Sequence, residues 1–166
     1  VTVSPTPVTV SPTPVTVSPT PAPGSPTPVT VSPTLNDDTI YNATQHVCNN
    51  NNPIHPVYGD IKDWDVLQVT NFTKIFQNCE ATVPLDVSKW ETGQVTDMHL
   101  AFASANMASI TGVEHWDVSS VTDMNGMFFE AVSFNSDISK WDVSHVTDMN
   151  TMFNGASALS VCDECG

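Results

Sequence analysis

No arginine occurs anywhere in the 166 residues, and four lysines stand against 18 aspartates and glutamates, for a net charge of −14. A chain so short of cations lacks the basic footprint that nucleic acid or an anionic membrane surface demands, which excludes both as partners. No apolar run approaches the roughly 18 residues of a membrane span, and no cationic start with an apolar core marks a signal peptide. No membrane insertion is expected. Glycine is scarce, with seven residues in all, and no glycine-rich phosphate loop is present. No nucleophile and base recur at a catalytic spacing, so the chain is not expected to be an enzyme. It starts at Val1 rather than Met, and is read as a processed product or a fragment of something longer.

Charge is absent altogether from residues 1–34, which hold ten of the 13 prolines. This segment reads VTVSPTP three times, then APGSPTP, then VTVSPT. Proline at two of seven positions, as at Pro5 and Pro7, removes backbone donors and excludes both a helix and a central strand. What remains is an extended arm of β and polyproline-II character, about 3.1 Å long per residue. Serine and threonine with proline form the composition of mucin-like stalks. The O-glycosylation candidates are Thr2, Ser4, Thr6, Thr9, Ser11, Thr13, Thr16, Ser18, Thr20, Ser25, Thr27, Thr30, Ser32 and Thr34.

The acidic remainder carries a second period. Trp64, Trp90, Trp116 and Trp141 lie 26, 26 and 25 residues apart, which points to a repeat architecture. Each copy continues through V-T-D-M or its variant to Phe76, Phe102, Phe128 and Phe153, and then to a small residue at Cys79, Ala105, Ala131 and Ala156. The alternation in Asp137–Val143 predicts a short strand. Ser144, Thr147 and Asp148, ahead of Met149, Met152 and Phe153, predict a short helix with its N-cap. The expected fold is an α/β solenoid, a leucine-rich-repeat-like stack of strand plus helix over residues 61–160. It follows an N-terminal cap over 35–60 and precedes a cysteine-containing end over 161–166.

The segments V-T-D-M-N-G-M-F at 121–128, F-N-S-D-I-S-K-W-D-V-S at 134–144 and V-T-D-M-N-T-M-F at 146–153 resemble the BspA-like leucine-rich repeat, the 26-residue bacterial surface-protein repeat. The resemblance covers about residues 61–160 and is looser in the copies at Trp64 and Trp90. It implies a solenoid on secreted or surface-anchored proteins, with adhesive or coat roles and no catalytic residues.

Four cysteines allow three intramolecular pairings. A Cys48–Cys79 bond would pin the cap to the first repeat, and Cys162 and Cys165 would close on each other. A zinc site, a redox-active C-x-x-C and an intermolecular bond are the rival readings. Asn42-Ala-Thr44 and Asn71-Phe-Thr73 fit the N-glycosylation sequon. Asn71 also occupies the column of Asp97, Asp123 and Asp148, where capping is favoured over a Ca2+ site. His99, His115 and His145 fall at different repeat offsets and are read as surface residues. The tryptophans are read as core rather than as a sugar-stacking stripe. No cofactor is expected beyond covalent glycans.

The two periods lead to one expectation: a secreted, extracellular structural glycoprotein, the subunit of a filament or surface coat. Its arm docks on a neighbouring solenoid, head to tail. The partner is the chain itself, with surface glycans or other coat proteins as further partners. The alternative is a cell-surface adhesin or glycan-binding module displayed on a mucin-like stalk.

Overall fold

A computed structural model describes residues 34–158. Most of this chain is irregular, with one helix, four two-residue strands and a large buried aromatic cluster. Helix α1 spans Asp37–Asn50 and is preceded by a complete capping box. The Asn36 side chain accepts the N–H groups of Asp38 and Thr39, and the Thr39 hydroxyl accepts the N–H of Asn36. Asp37 and Asp38 in the first turn suit the positive end of the helix dipole. The left-handed Asn51 (φ 50°) ends the helix. Buried Ile40, Ala43, Thr44, Val47 and Cys48 recur at helical spacing and give α1 a single apolar face.

Strands β1 (Ile54–His55) and β2 (Gly59–Asp60) form an antiparallel hairpin, with Ile54 opposite Asp60. Strands β3 (Leu85–Asp86) and β4 (Ile110–Thr111) pair in parallel, with Leu85 beside Ile110. Gly112 follows β4 at φ +98°, and a Cβ there would lie 2.2 Å from the Ser88 nitrogen. Only glycine permits so close a backbone approach.

The strand expected over Asp137–Val143 is not formed, and no described repeat contains the expected helix. Backbone hydrogen bonding gives the reason. The N–H groups of Phe72, Lys74, Phe76 and Asn78 donate to the carbonyls of Asp97, His99, Ala101 and Ala103 in the next repeat. Met98, Leu100, Phe102 and Ser104 do the same to Asp123, Asn125, Met127 and Phe129. Alternate donors thus leave the repeat, and no i to i−4 helical ladder can form. The N–H groups between them close four-residue turns, such as Ile75 to Phe72 and Cys79 to Phe76. Lys74 and Asn78 have φ of 63° and 56° at the third position of those turns, the mark of a type II turn. Leu100, Ser104, Gly126, Glu130, Thr151 and Gly155 repeat this left-handed pair in the following copies.

Side chains follow the backbone register. Trp64 stacks on Trp90 and Trp90 on Trp116, both at 6.0 Å between ring centroids and with interplanar angles of 14° and 4°. Phe76, Phe102, Phe128 and Phe153 form a second column at 5.2, 5.4 and 5.6 Å. Trp64, Trp90 and Trp116 are buried, as a core role requires. Trp141 is half-buried and rests on Phe128, at 6.2 Å. Its spacing from Trp116 is one residue shorter than the others.

Candidate functional site

The recurring acids cap turns of the backbone. Asp97, Asp123 and Asp148 each accept the N–H two residues ahead, from His99, Asn125 and Asn150, at 2.8 to 2.9 Å. Asn71 does the same for Thr73 at 2.7 Å. Asp65, Asp117 and Asp142 after the tryptophans, and Asp86 and Asp137 before them, hold equivalent turns at 2.9 to 3.0 Å. These are Asx turns, in which a short carboxylate satisfies a nearby backbone donor. The capping expected of this column is therefore present, but it serves turns instead of helix starts. Among the described residues no three His, Cys, Asp or Glu side chains converge as metal ligands.

These contacts set a pH dependence. Hydrogen bonds from Ser88, Ser119, Ser139 and Ser144 hold Asp86, Asp117, Asp137 and Asp142 below the ordinary carboxylate value. The N–H of Asn150 does so for Asp148. Folded-state values below the unfolded one stabilise the fold above about pH 4, and this contribution is lost as pH falls through the lowered values. Acid unfolding is expected to begin only below about pH 4, read by tryptophan fluorescence and circular dichroism. A midpoint above pH 5 would contradict the capping role.

The two ends of the described chain differ. At the first repeat, Gln45 Nε2 of α1 donates to the carbonyls of Ile75 and Gln77 at 3.3 Å. The equivalent carbonyls of the second repeat, Ala101 and Ala103, receive N–H groups from the first. Asp37 accepts the N–H and hydroxyl of Thr70 at 2.6 and 2.7 Å and the N–H of Asn71 at 3.0 Å. Burial pushes the Asp37 carboxyl up, but these donors outweigh it and hold the value low. The Cys48–Cys79 disulfide fastens α1 to the first repeat, as one expected pairing proposed, with Cα atoms 5.2 Å apart. Cys162 and Cys165 lie outside the described residues.

At the far end the apolar columns open. Val118, Met124 and Phe128 are at most 1% exposed, whereas their counterparts Val143, Met149 and Phe153 are 39%, 40% and 41% exposed. The fourth repeat has no next repeat to cover it among the described residues.

Of the glycosylation candidates, Asn42 lies exposed on α1, while Thr44 is buried and its hydroxyl donates to Ile40 and Tyr41 carbonyls. Asn71 is half-buried. Thr34 is exposed, and the candidates from Thr2 to Ser32 lie outside the described residues. His99 is half-buried, His115 and His145 are exposed, and the three are not gathered.

Sequence reasoning passed over His46 and His55, whose rings meet edge to face at 4.6 Å, with Tyr58 and Trp64 beside His55. Neither histidine belongs to the repeat, so no periodic signal marked them. His55 Nδ1 accepts the N–H groups of Val57 and Tyr58, and burial with His46 nearby lowers its pKa.

The repeats also place this chain among known proteins. Residues 42–161, well over half of the chain, match the family described as Mycoplasma protein of unknown function, DUF285. The chain belongs to the DUF285 family. DUF285 is related to the BspA-like, leucine-rich-type repeats, in keeping with the resemblance carried by 116–153. No curated protein and no solved structure matched the chain. The DUF285 match begins inside α1 and takes in all four tryptophan repeats.

Proposed function

We propose that this chain is an extracellular structural glycoprotein that assembles head to tail. Its four repeats are layers of a leucine-rich-repeat-type solenoid, and the arm over residues 1–34 connects each copy to the next. The observation that carries this reading is the inequality of the two ends. One end is closed by Gln45, Asp37 and the disulfide, while the other leaves Val143, Met149 and Phe153 exposed. Unlike ends suit a heterologous contact, which repeats without closing and generates fibres. The disulfide supports an oxidising, extracellular setting. The chain acts by packing and carries no catalytic site. Sugars on the arm and at Asn42 and Asn71 would keep it solvated.

Deleting residues 1–34 tests the reading directly. The expected product keeps its circular dichroism and its disulfide and sediments as a monomer, whereas the whole chain forms filaments visible by electron microscopy. Filaments from the shortened chain would refute the connector role. A whole chain that stays monomeric at high concentration and binds glycans would favour the stalked adhesin instead.

A further inference from the structure

Between the second and third repeats the backbone pairing breaks and a cavity opens. Asn106 and Ala108 of the second repeat donate their N–H groups to the carbonyls of Cys79 and Ala81 in the first, and Leu85 and Val87 of the first donate to Ser109 and Thr111. Val132 and Phe134 stand 26 residues beyond Asn106 and Ala108, but they donate back to Glu130 and Ala131 in their own repeat. The cause is readable in one side chain and one spacing. Phe134 replaces the exposed Ala108, and its ring is buried against Phe128 at 4.0 Å, which draws the chain inward. The arc is also short by one residue: Phe76 to Trp90 and Phe102 to Trp116 span 14 positions, and Phe128 to Trp141 spans 13. A slip of one residue reverses the facing of every position after it, so the ladder cannot resume.

The resulting cavity has a volume of about 190 Å³. Its floor is Ala105, Met107 and Phe134, all buried. Ser109, Ser133, Asn135 and Ser136 bring hydroxyl and amide groups to its wall, and the lining is uncharged throughout. Backbone groups complete it. Ala105 and Met107 are the counterparts of Cys79 and Ala81, and among the described residues their carbonyls receive no N–H from the third repeat. The Ser109 and Thr111 carbonyls face β3, so the peptide groups of Ile110 between them face the other edge, where Ile110 lines the cavity.

We infer that this cavity binds a terminal N-acetylhexosamine residue, its acetamido group paired with the backbone groups that the third repeat leaves open. An acetamido group is one peptide group ending in a methyl. Its N–H meets a carbonyl of Ala105 or Met107, its oxygen accepts the Ile110 N–H, and its methyl rests on Met107 and Phe134. The serine hydroxyls both donate and accept, as ring hydroxyls require. A volume of about 190 Å³ holds roughly six waters at about 30 Å³ each, which admits one sugar ring and falls short of the roughly 300 Å³ at which sites for larger ligands begin. A strand of another protein would need an edge longer than the single residue Ile110. The site uses neither end of the described chain, so it goes beyond the head-to-tail reading and does not depend on it.

Titration of the full chain with N-acetylglucosamine, followed by NMR, tests the site, with glucose and N-acetylglycine methylamide as controls. Saturable shifts are expected at the Ile110 amide and the Met107 methyl, with a dissociation constant on the order of 1 mM. Glucose should bind at least about tenfold more weakly, because it lacks the acetamido pair. Ser136→Leu fills the cavity from a half-buried position and should abolish the shifts without changing circular dichroism. Ser109→Leu is the second filling variant, should the first disturb the fold. No saturable shift below about 50 mM overturns the site, and binding that survives a filled cavity does the same by placing it elsewhere. Equal binding of glucose overturns the acetamido pairing. Tighter binding of the capped glycine makes the cavity a peptide site and overturns the sugar. Each of these results leaves the head-to-tail reading intact, since that reading stands or falls on assembly.

Discussion

Replacing Phe102 by alanine is expected to lower the unfolding free energy by about 3–5 kcal/mol. The side chain is fully buried and stacks between Phe76 and Phe128 at 5.2 and 5.4 Å, with Trp116 and Phe134 beside it at 5.8 and 5.7 Å. These neighbours belong to the layers on either side of its own, so they cannot close the space without shifting the cross-layer hydrogen bonds. Phe153→Ala is the matched control. It removes the same ring from the same column at a position 41% exposed, and should cost under about 1.5 kcal/mol because less area leaves water there. Urea unfolding of the two variants checks the contrast. Equal midpoints would show that the phenylalanine column does not carry the core.

Removing the disulfide ranks second. The Cys48→Ala, Cys79→Ala double variant is expected to lose about 3–4 kcal/mol by the chain-entropy estimate for a loop of this length, from a sequence separation of 31. The consequence is local as well as global. Helix α1 has 14 residues, a length at which an isolated helix is marginal. Freed from Cys79, it holds the first layer through its apolar face, Gln45, Asp37 and its C-cap Asn51, whose side chain accepts the N–H groups of Thr82 and Val83. Loosening it exposes the carbonyls of Ile75 and Gln77, the acceptors that α1 covers. Urea titrations of the oxidised and reduced protein should give well-separated midpoints. Coincident curves would mean that the bond only decorates a cap held by other contacts.

Several features were legible in residue order because they depend on spacing. Four tryptophans at 26, 26 and 25 residues fixed which side chains would meet, and the rings of Trp64, Trp90 and Trp116 do stack. Asp97, Asp123 and Asp148 were expected to cap helix starts, and the structure has them cap turns instead. Secondary structure was less so. Met149, Met152 and Phe153 have the spacing of a helix, but in the earlier repeats the same spacing serves a run of turns whose alternate donors are taken by another layer. Local propensity carries no record of that competition. Gln45 and Asp37 gave no signal either, since neither is periodic and their partners lie about 30 residues away.

By itself the sequence determined the division between an uncharged seven-residue repeat and an acidic 26-residue repeat, the identity of the core columns and the absence of a basic surface. All of these are properties of composition and period. Only the tertiary structure decided that the repeats are built from turns and not helices, that Cys48 pairs with Cys79 and that the described stack is closed at one end and open at the other. Those features depend on which donor reaches which acceptor across a layer, and that is set when the layers meet.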